Sequence, residues 1–178
     1  MSSRRLSVRA ARPEDAPEIE ALQHEAMRRL GAAYYTPMQI ESGLRYIGTH
    51  DPALIADGTY YVAALDGELV GCGGWSRRPA RYGADGARAM LDPATGAAAR
   101  VRALYVHPEW TGRGIARRLM ATAEAAARAA GFRRFELVST LTAERLYRGL
   151  GYRELRRLAI PLPNGVEFPG IEMEKVAA

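Results

Sequence analysis

A strand that leads through a glycine-containing turn into a long amphipathic helix is the feature that most restricts the fold of this chain. Residues 101–106 form an apolar run that Pro108 ends, and Gly112 and Gly114 precede a helical pattern over residues 114–130. Glycine lets the backbone turn sharply, and the first N–H groups of a helix have no partner within it. Because the helix dipole also makes this end positive, the segment predicts an anion site suited to a diphosphate.

Hydrophobic periodicity predicts the elements that precede this unit. Alternating residues indicate a strand at 6–10, and helical spacing follows from Pro13 onward. We expect Gly31 to end that first helix in a left-handed conformation. A second helix is predicted to begin after Pro37, and residues 49–58 are predicted to form a loop.

The rest of the chain indicates more strands and further helical structure. Asp66 and Gly67 supply the positive φ angles of a tight hairpin turn between strands at 59–65 and 68–75. The later pattern predicts a strand at 132–139, a helix at 142–150, and a strand pair at 152–161 and 166–175. This order predicts a single-domain α/β fold over residues 1–178. Its sheet is expected to be mixed, mostly antiparallel and of about seven strands, with helices on both faces.

The composition argues against several classes of protein. With 48% hydrophobic and 25% charged residues, the chain is expected to be neither disordered nor an integral membrane protein. The net charge of +5 comes almost wholly from arginine, since Lys175 is the only lysine. Because the arginines are scattered and no aromatic residues are interleaved with them, we expect a pocket for a small polyanion and no nucleic-acid partner.

The cysteine and histidine positions give no sign of a metal site or a thiol nucleophile. Cys72 lies between glycines in a predicted strand, where a cysteine usually acts as a small buried hydrophobe. It cannot form an intramolecular disulfide, so we expect a reducing, cytoplasmic location. His24, His50 and His107 do not have metal-ligand spacing, and we expect no bound metal.

Two motifs resemble those of the GNAT superfamily of N-acetyltransferases. The segment Thr111-Gly-Arg-Gly-Ile-Ala116 is similar to the acetyl-CoA-binding pattern Gln/Arg-x-x-Gly-x-Gly/Ala, with Thr111 in place of Gln or Arg. Residues 140–152 resemble Asn-x-x-Ala-x-x-Phe-Tyr-x-x-x-Gly-Phe, with Thr140 in place of Asn and Leu146 in place of Phe. The order of predicted elements also agrees, so the resemblance covers nearly the whole chain.

The resemblance implies an acetyltransferase that uses acetyl-CoA and forms no covalent intermediate, because a primary amine attacks the thioester directly. It implies that the backbone of residues 104–106 binds the pantetheine arm and that the Val106 N–H contacts the thioester oxygen. It further implies that Tyr147 is the general acid. The cofactor-binding residues that it implies are Leu104, Tyr105, Val106, Thr111, Gly112, Arg113, Gly114, Ile115, Ala116, Arg117, Thr140, Ala143 and Tyr147.

Tyr147 has two interpretations. A tyrosine with its ordinary pKa of about 10 stays protonated at neutral pH and can give a proton to a nascent thiolate, since a free thiol has a pKa of about 8.5. In the other interpretation Tyr147 is a core aromatic residue whose hydroxyl is held by a hydrogen bond. The two motifs favour the general acid.

The sequence leaves the general base open, because residues 101–106 contain no carboxylate. The candidates are a bound water and the side chains of His107, Glu109, Glu136 and Ser139. His107 precedes a proline and also fits a plain turn residue. Glu136 alternates with Phe135 and Leu137, so we expect it on a solvated face.

We expect an acceptor that is not cationic. Cationic amines usually need carboxylates, but the segments that build acceptor pockets in this fold contain no acidic cluster here. They contain instead Tyr34, Tyr35, Tyr46, Trp75 and Arg77. We therefore expect a small neutral or acidic amine, or a protein terminus. Trp75 and Tyr82 are candidates to line this pocket. Trp75 has a second interpretation, as a core residue at a sheet edge.

Residues 77–98 form a long segment rich in Gly, Ala, Pro and Arg. Such a composition disfavours both helix and strand, and the segment leads directly into the strand at 101–106. We expect it to be ordered only in part and to act as a flap that the acceptor orders. Its arginines would favour an anionic group on substrate or cofactor; they are Arg77, Arg78, Arg81 and Arg88.

A second function is compatible with the same motifs. Thr111 and Thr140 replace longer polar side chains, and the strand carboxylate is missing, which suits a non-catalytic acyl-CoA-binding or regulatory module. Tyr147 favours the enzyme instead. A nucleic-acid-binding domain is a third possibility that would need a contiguous basic face. We expect a monomer or homodimer that acts on a small-molecule or protein amine, with no membrane partner.

Overall fold

The computed structural model describes residues 5–48, 52–83 and 89–178. The strands are β1 (Leu6–Ala10), β2 (Tyr60–Leu65), β3 (Glu68–Ser76), β4 (Ala99–Val106), β5 (Arg134–Ser139), β6 (Arg153–Pro161) and β7 (Glu167–Val176). The helices are α1 (Ala16–Gly31), α2 (Pro37–Tyr46), α3 (Pro52–Ala56), α4 (Ile115–Ala129) and α5 (Glu144–Gly149). Short 3-10 helices lie at Pro13–Asp15, Pro93–Thr95, Pro108–Trp110 and Leu141–Ala143.

The described strands form one seven-stranded sheet in the order β1-β2-β3-β4-β5-β7-β6. The neighbours are antiparallel except β4 and β5, which are parallel. One face packs against α1, where Ile19 and Leu22 belong to the same buried cluster as Cys72. The other face packs against α4 through Ile115 and Leu119. The prediction of a mixed, mostly antiparallel sheet with helices on both faces is therefore confirmed.

The sheet opens in its middle, between β4 and β5. These two strands pair only at Ala99 with Phe135 and at Arg100 with Glu136. Further along, β4 carries a bulge, because its register against β3 shifts and Ala103 has a φ of 48°. A bulge bends its strand and leaves local backbone groups unpaired. The carboxyl half of β4 consequently diverges from β5.

The predicted hairpin turn, the predicted start of α2 and the expected burial of Cys72 are confirmed. Asp66 and Gly67 have φ angles of 52° and 93°, the left-handed values that a two-residue hairpin turn requires. Thr36 caps α2, since its hydroxyl accepts a hydrogen bond from the Gln39 N–H at 3.2 Å. Cys72 is a free thiol and wholly buried, as expected for a small hydrophobe.

Two local predictions are wrong. Residues 49–58 were expected to form a loop, but α3 occupies Pro52–Ala56 because proline suits a helix start and Leu54 is fully buried against the α1 side of the sheet. Gly31 does not end α1 in a left-handed conformation. The helix continues in right-handed geometry through Gly31 to Ala32, which has a φ of −58°.

Trp75 belongs to the core and does not lie at a sheet edge. Its strand, β3, is the third of the seven, and only 5% of the residue is exposed. The indole ring packs edge to face on Phe132, with 5.8 Å between ring centroids. This arrangement confirms the core interpretation and corrects the expected edge position.

The described parts of segment 77–98 are attached to the body of the protein. The Arg78 guanidinium forms an ion pair with Asp57 at 2.7 Å, and the Leu91 N–H donates to the Arg77 carbonyl at 2.6 Å. Residues 84–88, which include the expected Arg88, lie outside the described residues, so the flap remains a prediction. None of the described helices combines the length and apolarity that a bilayer crossing requires.

Candidate active site

The turn before α4 adopts the geometry that its glycines predict. Gly112 and Gly114 have φ angles of 74° and 79°, which other L-residues rarely adopt. A Cβ atom at either position would meet nothing within 4 Å, so backbone conformation and not space requires glycine here. No side chain caps α4 at its Gly114 end. The first N–H groups of α4 are therefore directed to whatever lies in front of the turn.

A groove of about 640 Å³ runs along this turn and the end of β4. All the predicted cofactor-binding residues line it except Arg113 and Tyr147. Sequence reasoning missed the wall that α1 contributes, because the apolar spacing of Met27 and Leu30 predicts a core face equally well. The lining residues that it missed are Ala26, Met27, Leu30, Gly31, Trp110, Thr142 and Leu146.

Two side chains of the glycine turn make contacts within the turn itself. The Arg113 guanidinium lies over the Trp110 ring, 4.6 Å from its centroid. The Thr111 hydroxyl donates a hydrogen bond to the Pro108 carbonyl at 3.1 Å. Arg117, by contrast, lines the groove. An anion at this turn would thus meet backbone N–H groups and the Arg117 side chain.

The opening between β4 and β5 leaves backbone groups of β4 facing the groove. The His107 N–H donates to the Val70 carbonyl of β3 at 2.9 Å. In an antiparallel pair the residues that bond to the neighbouring strand alternate with residues that do not. Because Val106 precedes His107, its N–H points away from β3, toward the side from which β5 has diverged.

A second, smaller cavity of about 90 Å³ adjoins the groove at this opening. The residues that line both are Met27, Leu104, Tyr105, Thr140 and Ala143. Tyr147, Ser139, Arg81, Tyr82 and Arg102 line the small cavity and not the groove. The two cavities therefore meet along the same stretch of β4, at Leu104 and Tyr105.

Tyr147 is buried with its ring edge to face on Tyr152, 5.6 Å between centroids, and it lines the small cavity. No described residue forms a hydrogen bond with its hydroxyl, so the interpretation of a hydroxyl tied down in the core is not supported. Burial raises the pKa of Tyr147 above its ordinary value, because the charged phenolate is poorly solvated there. Tyr147 therefore presents a neutral side chain in the wall of the small cavity.

Of the four side chains considered as a general base, Ser139 is the one that lines the small cavity. Its hydroxyl donates to the Thr140 carbonyl at 2.6 Å. His107 acts as a turn residue, since its Nδ1 accepts from the Glu109 N–H at 3.3 Å and its Nε2 lies 3.3 Å from a Glu25 carboxylate oxygen. Neither His107 nor Glu109 lines either cavity.

Glu136 lies opposite Phe135 and Leu137 as alternation predicts, but the expected solvated face is wrong. Only 13% of its side chain is exposed, because arginines surround it. Its carboxylate pairs with Arg100 and lies 3.5 Å from Arg81. Glu136 does not line either cavity, so it is not placed to take a proton from an amine bound there.

Comparison with known proteins identifies a matching family model and solved structures of similar fold. The model of the acetyltransferase (GNAT) family matches residues 19–152. No curated protein matches the chain by sequence.

Solved structures resemble the whole chain. An N-acetyltransferase from Rhodopseudomonas palustris is 24% identical with a TM-score of 0.73, covering 99% of this chain and 97% of that one. The PaiA N-acetyltransferase of Thermoplasma acidophilum, in complex with coenzyme A, is 16% identical with a TM-score of 0.65 and coverages of 97% and 99%. A GNAT family acetyltransferase from Brucella melitensis, in complex with acetyl-CoA, is 23% identical with a TM-score of 0.55 and coverages of 85% and 84%. At these identities the likeness is one of fold.

Proposed function

The chain belongs to the GNAT family of acetyltransferases, and we propose that it transfers an acetyl group from acetyl-CoA to a primary amine within a ternary complex. The observation that carries the proposal is the pair of cavities that meet at the opening between β4 and β5. The longer groove begins at an anion-binding turn and suits a CoA ester. The smaller cavity suits an amine that reaches the thioester carbonyl where the two cavities meet.

The glycine turn would hold the diphosphate of CoA. Backbone N–H groups from Gly112 to Arg117 converge where α4 begins, and the positive end of the helix dipole adds to their attraction. Thr111 contributes no long polar side chain, but the backbone groups remain. We assign the diphosphate to this backbone and to the Arg117 guanidinium.

The diverging half of β4 would hold the pantetheine arm and the thioester. Leu104 and Tyr105 line both cavities, and the Val106 N–H points into the opening. Attack by the amine nitrogen on the thioester carbon turns the carbonyl oxygen into an oxyanion. A fixed N–H donor stabilises that charge as it develops, which is the role we assign to Val106.

Tyr147 would complete the reaction as general acid. When the intermediate collapses, the bond between carbon and sulfur breaks and the thiolate takes the proton of the Tyr147 hydroxyl. The raised pKa keeps that hydroxyl protonated until the thiolate forms. The amine gives up its own proton to solvent, because Glu136, His107 and Glu109 line neither cavity and the Ser139 hydroxyl donates to the Thr140 carbonyl. Solvent then returns a proton to Tyr147.

The acceptor would be a neutral or acidic amine. Arg81 and Arg102 line the small cavity, and none of the described residues that line it is an aspartate or glutamate. An ammonium group on the far end of an acceptor would find no carboxylate among those residues. A carboxylate or an uncharged group on the acceptor fits this lining better than a second ammonium group.

The test is a free-thiol assay of CoA release with acetyl-CoA and a panel of neutral, acidic and polycationic primary amines. We expect CoA release that depends on an amine, with higher kcat/KM for the neutral and acidic members. Tight binding of acetyl-CoA with no release of CoA in the presence of any amine would contradict the proposed enzymatic activity. That result would favour a non-catalytic acyl-CoA-binding module. A preference for polycationic amines would contradict the assigned acceptor class alone.

A further inference from the structure

A buried tyrosine that the reaction itself does not use holds the bulge of β4. Tyr60, the first residue of β2, is completely buried, and its hydroxyl donates to the Ala103 carbonyl at 2.7 Å. Gln23 of α1, also completely buried, donates from its Nε2 to the Tyr60 hydroxyl at 3.0 Å. Hydrogen bonds thus connect α1 through β2 to one peptide group of β4.

That peptide group belongs to the residue with the least favourable backbone conformation in β4. Ala103 has a φ of 48°, a left-handed value that is costly for an L-residue with a Cβ atom. Ala103 and Leu104 together lie opposite Gly73, since Arg102 pairs with Gly74 and Tyr105 with Cys72. Such a conformation persists only where the surroundings hold it, and the bond from Tyr60 is one such restraint.

Neighbouring residues are fitted to the bulged form of the strand. A Cβ atom on Gly73 would lie 2.8 Å from Leu104 Cδ1, so glycine provides the space that the bulge takes up.

Burial raises the pKa of the Tyr60 hydroxyl well above its ordinary value and that of the Cys72 thiol to about 12. Both groups are therefore neutral, and the tyrosine remains a hydrogen-bond donor at every pH at which the enzyme would work.

We propose that Tyr60 is a positioning residue for acetyl transfer: by holding the Ala103 carbonyl it fixes the bulge and so aims the N–H groups of Leu104 and Val106 at the thioester. The inference rests on the proposed function of this site. Loss of the bond would let Ala103 relax toward ordinary strand geometry. That relaxation would turn the peptide groups that follow it in β4 and misalign the oxyanion donor, because adjacent groups along a strand face opposite sides.

The test is Tyr60→Phe, which keeps the ring and removes the hydroxyl. We expect kcat and kcat/KM for acetyl-CoA to fall together by about tenfold or more, as for an interaction needed only in the transition state. The CoA dissociation constant should change by less than about twofold, because the diphosphate turn is separate from the bulge. Tyr61→Phe, the adjacent residue on the opposite face of β2, is the matched control and should keep wild-type kcat.

Rescue distinguishes positioning from a general loss of stability. Glycine adopts the left-handed conformation freely, so adding Ala103→Gly to Tyr60→Phe should restore most of the lost kcat without restoring the melting temperature. If Tyr60→Phe does not fold, Gln23→Met takes its place: it removes the group that orients the Tyr60 hydroxyl toward Ala103, so kcat should fall by a smaller factor. An unchanged kcat in the folded variant, or no rescue by glycine, would overturn the proposal.

A measurement without turnover separates this proposal from the proposed function. The carbon chemical shifts of Ala103 report its backbone conformation by NMR, and they should move in Tyr60→Phe but not in Tyr61→Phe. If the Ala103 chemical shifts do not change in Tyr60→Phe, Tyr60 does not fix the bulge, whether or not the enzyme is active. If the wild-type protein transfers acetyl to no amine, the proposed function is contradicted, but a change in the Ala103 shifts would still show that Tyr60 fixes the bulge.

Discussion

At the scale of single residues, burial determines what Tyr147 can do. Its ring packs against Tyr152 while its hydroxyl makes no hydrogen bond to any described residue and lines the small cavity. Desolvation favours the neutral phenol, which suits the proton donor that we propose Tyr147 to be. Because Tyr147 does not line the groove, we expect its hydroxyl to contribute little to binding CoA.

Tyr147→Phe should lower kcat by about 10²–10³, the usual contribution of a positioned general acid. The CoA dissociation constant, measured by calorimetry, should stay close to that of the wild type because the groove is lined by other residues. Tyr34→Phe, at a residue that is 54% exposed, serves as the control. Equal kcat values for the two variants would remove Tyr147 from the mechanism.

The pH dependence of kcat gives a second prediction at this scale. A general acid must be protonated, so kcat falls as the pH rises through the pKa of the acid. Because burial raises the pKa of Tyr147, this fall should lie above about pH 10, the ordinary value for tyrosine. A decline that begins near pH 8 and that Tyr147→Phe abolishes would show an acid with a lowered pKa, contrary to this account.

At the scale of elements, the β4–turn–α4 unit could be predicted because its conformation is encoded locally. Gly112 and Gly114 sit where positive φ angles are needed, and the apolar spacing of α4 is regular. The bulge at Ala103 had no such signal, since alanine rarely adopts a positive φ and is held there by Tyr60. The shielding of Glu136 likewise depends on Arg81, which reaches it from a distant segment.

Gly114→Val tests the diphosphate turn against a matched glycine. Valine at a φ of 79° should strain the turn by about 1–2 kcal/mol and displace the N–H groups, raising the CoA dissociation constant at least about tenfold. Gly165, in the turn between β6 and β7, has a φ of 82° and equally open surroundings. Gly165→Val should therefore lose similar stability and keep wild-type affinity. Unchanged affinity in a folded Gly114→Val protein would show that the site is misplaced.

At the scale of the whole molecule, arginine–glutamate pairs join the last three strands to the segment before β4. Glu172 is buried and pairs with Arg81 and Arg156, so it ties β6 and β7 to that segment. Glu174 is buried to the same extent and pairs with Arg134 at 3.0 Å and with Arg153. The arginine side chains are 35% to 73% exposed, so water screens these pairs and each contributes about 1 kcal/mol or less.

Acid should destabilise the protein through the Glu174 carboxylate. The hydrogen bond from Arg134 lowers the pKa of Glu174 below its unfolded value, so the unfolded chain binds the proton more readily. The stability that this pair contributes is complete above about pH 4.3, the ordinary value for glutamate, and is lost as the pH falls through the lower folded pKa. Urea midpoints measured from pH 7 to pH 3 should fall less steeply in Glu174→Gln than in the wild type. Parallel curves would contradict the assignment.

The fate of a single acetyl group tests the central claim most directly. One equivalent of acetyl-CoA labelled in the acetyl group is mixed with excess enzyme, and an amine that supports CoA release is added after a delay. We predict that the label stays on CoA until the amine arrives and then appears on the amine together with one equivalent of CoA, because the amine attacks the thioester directly. Label on the protein, or label that stays on CoA after the amine is added, would contradict the account.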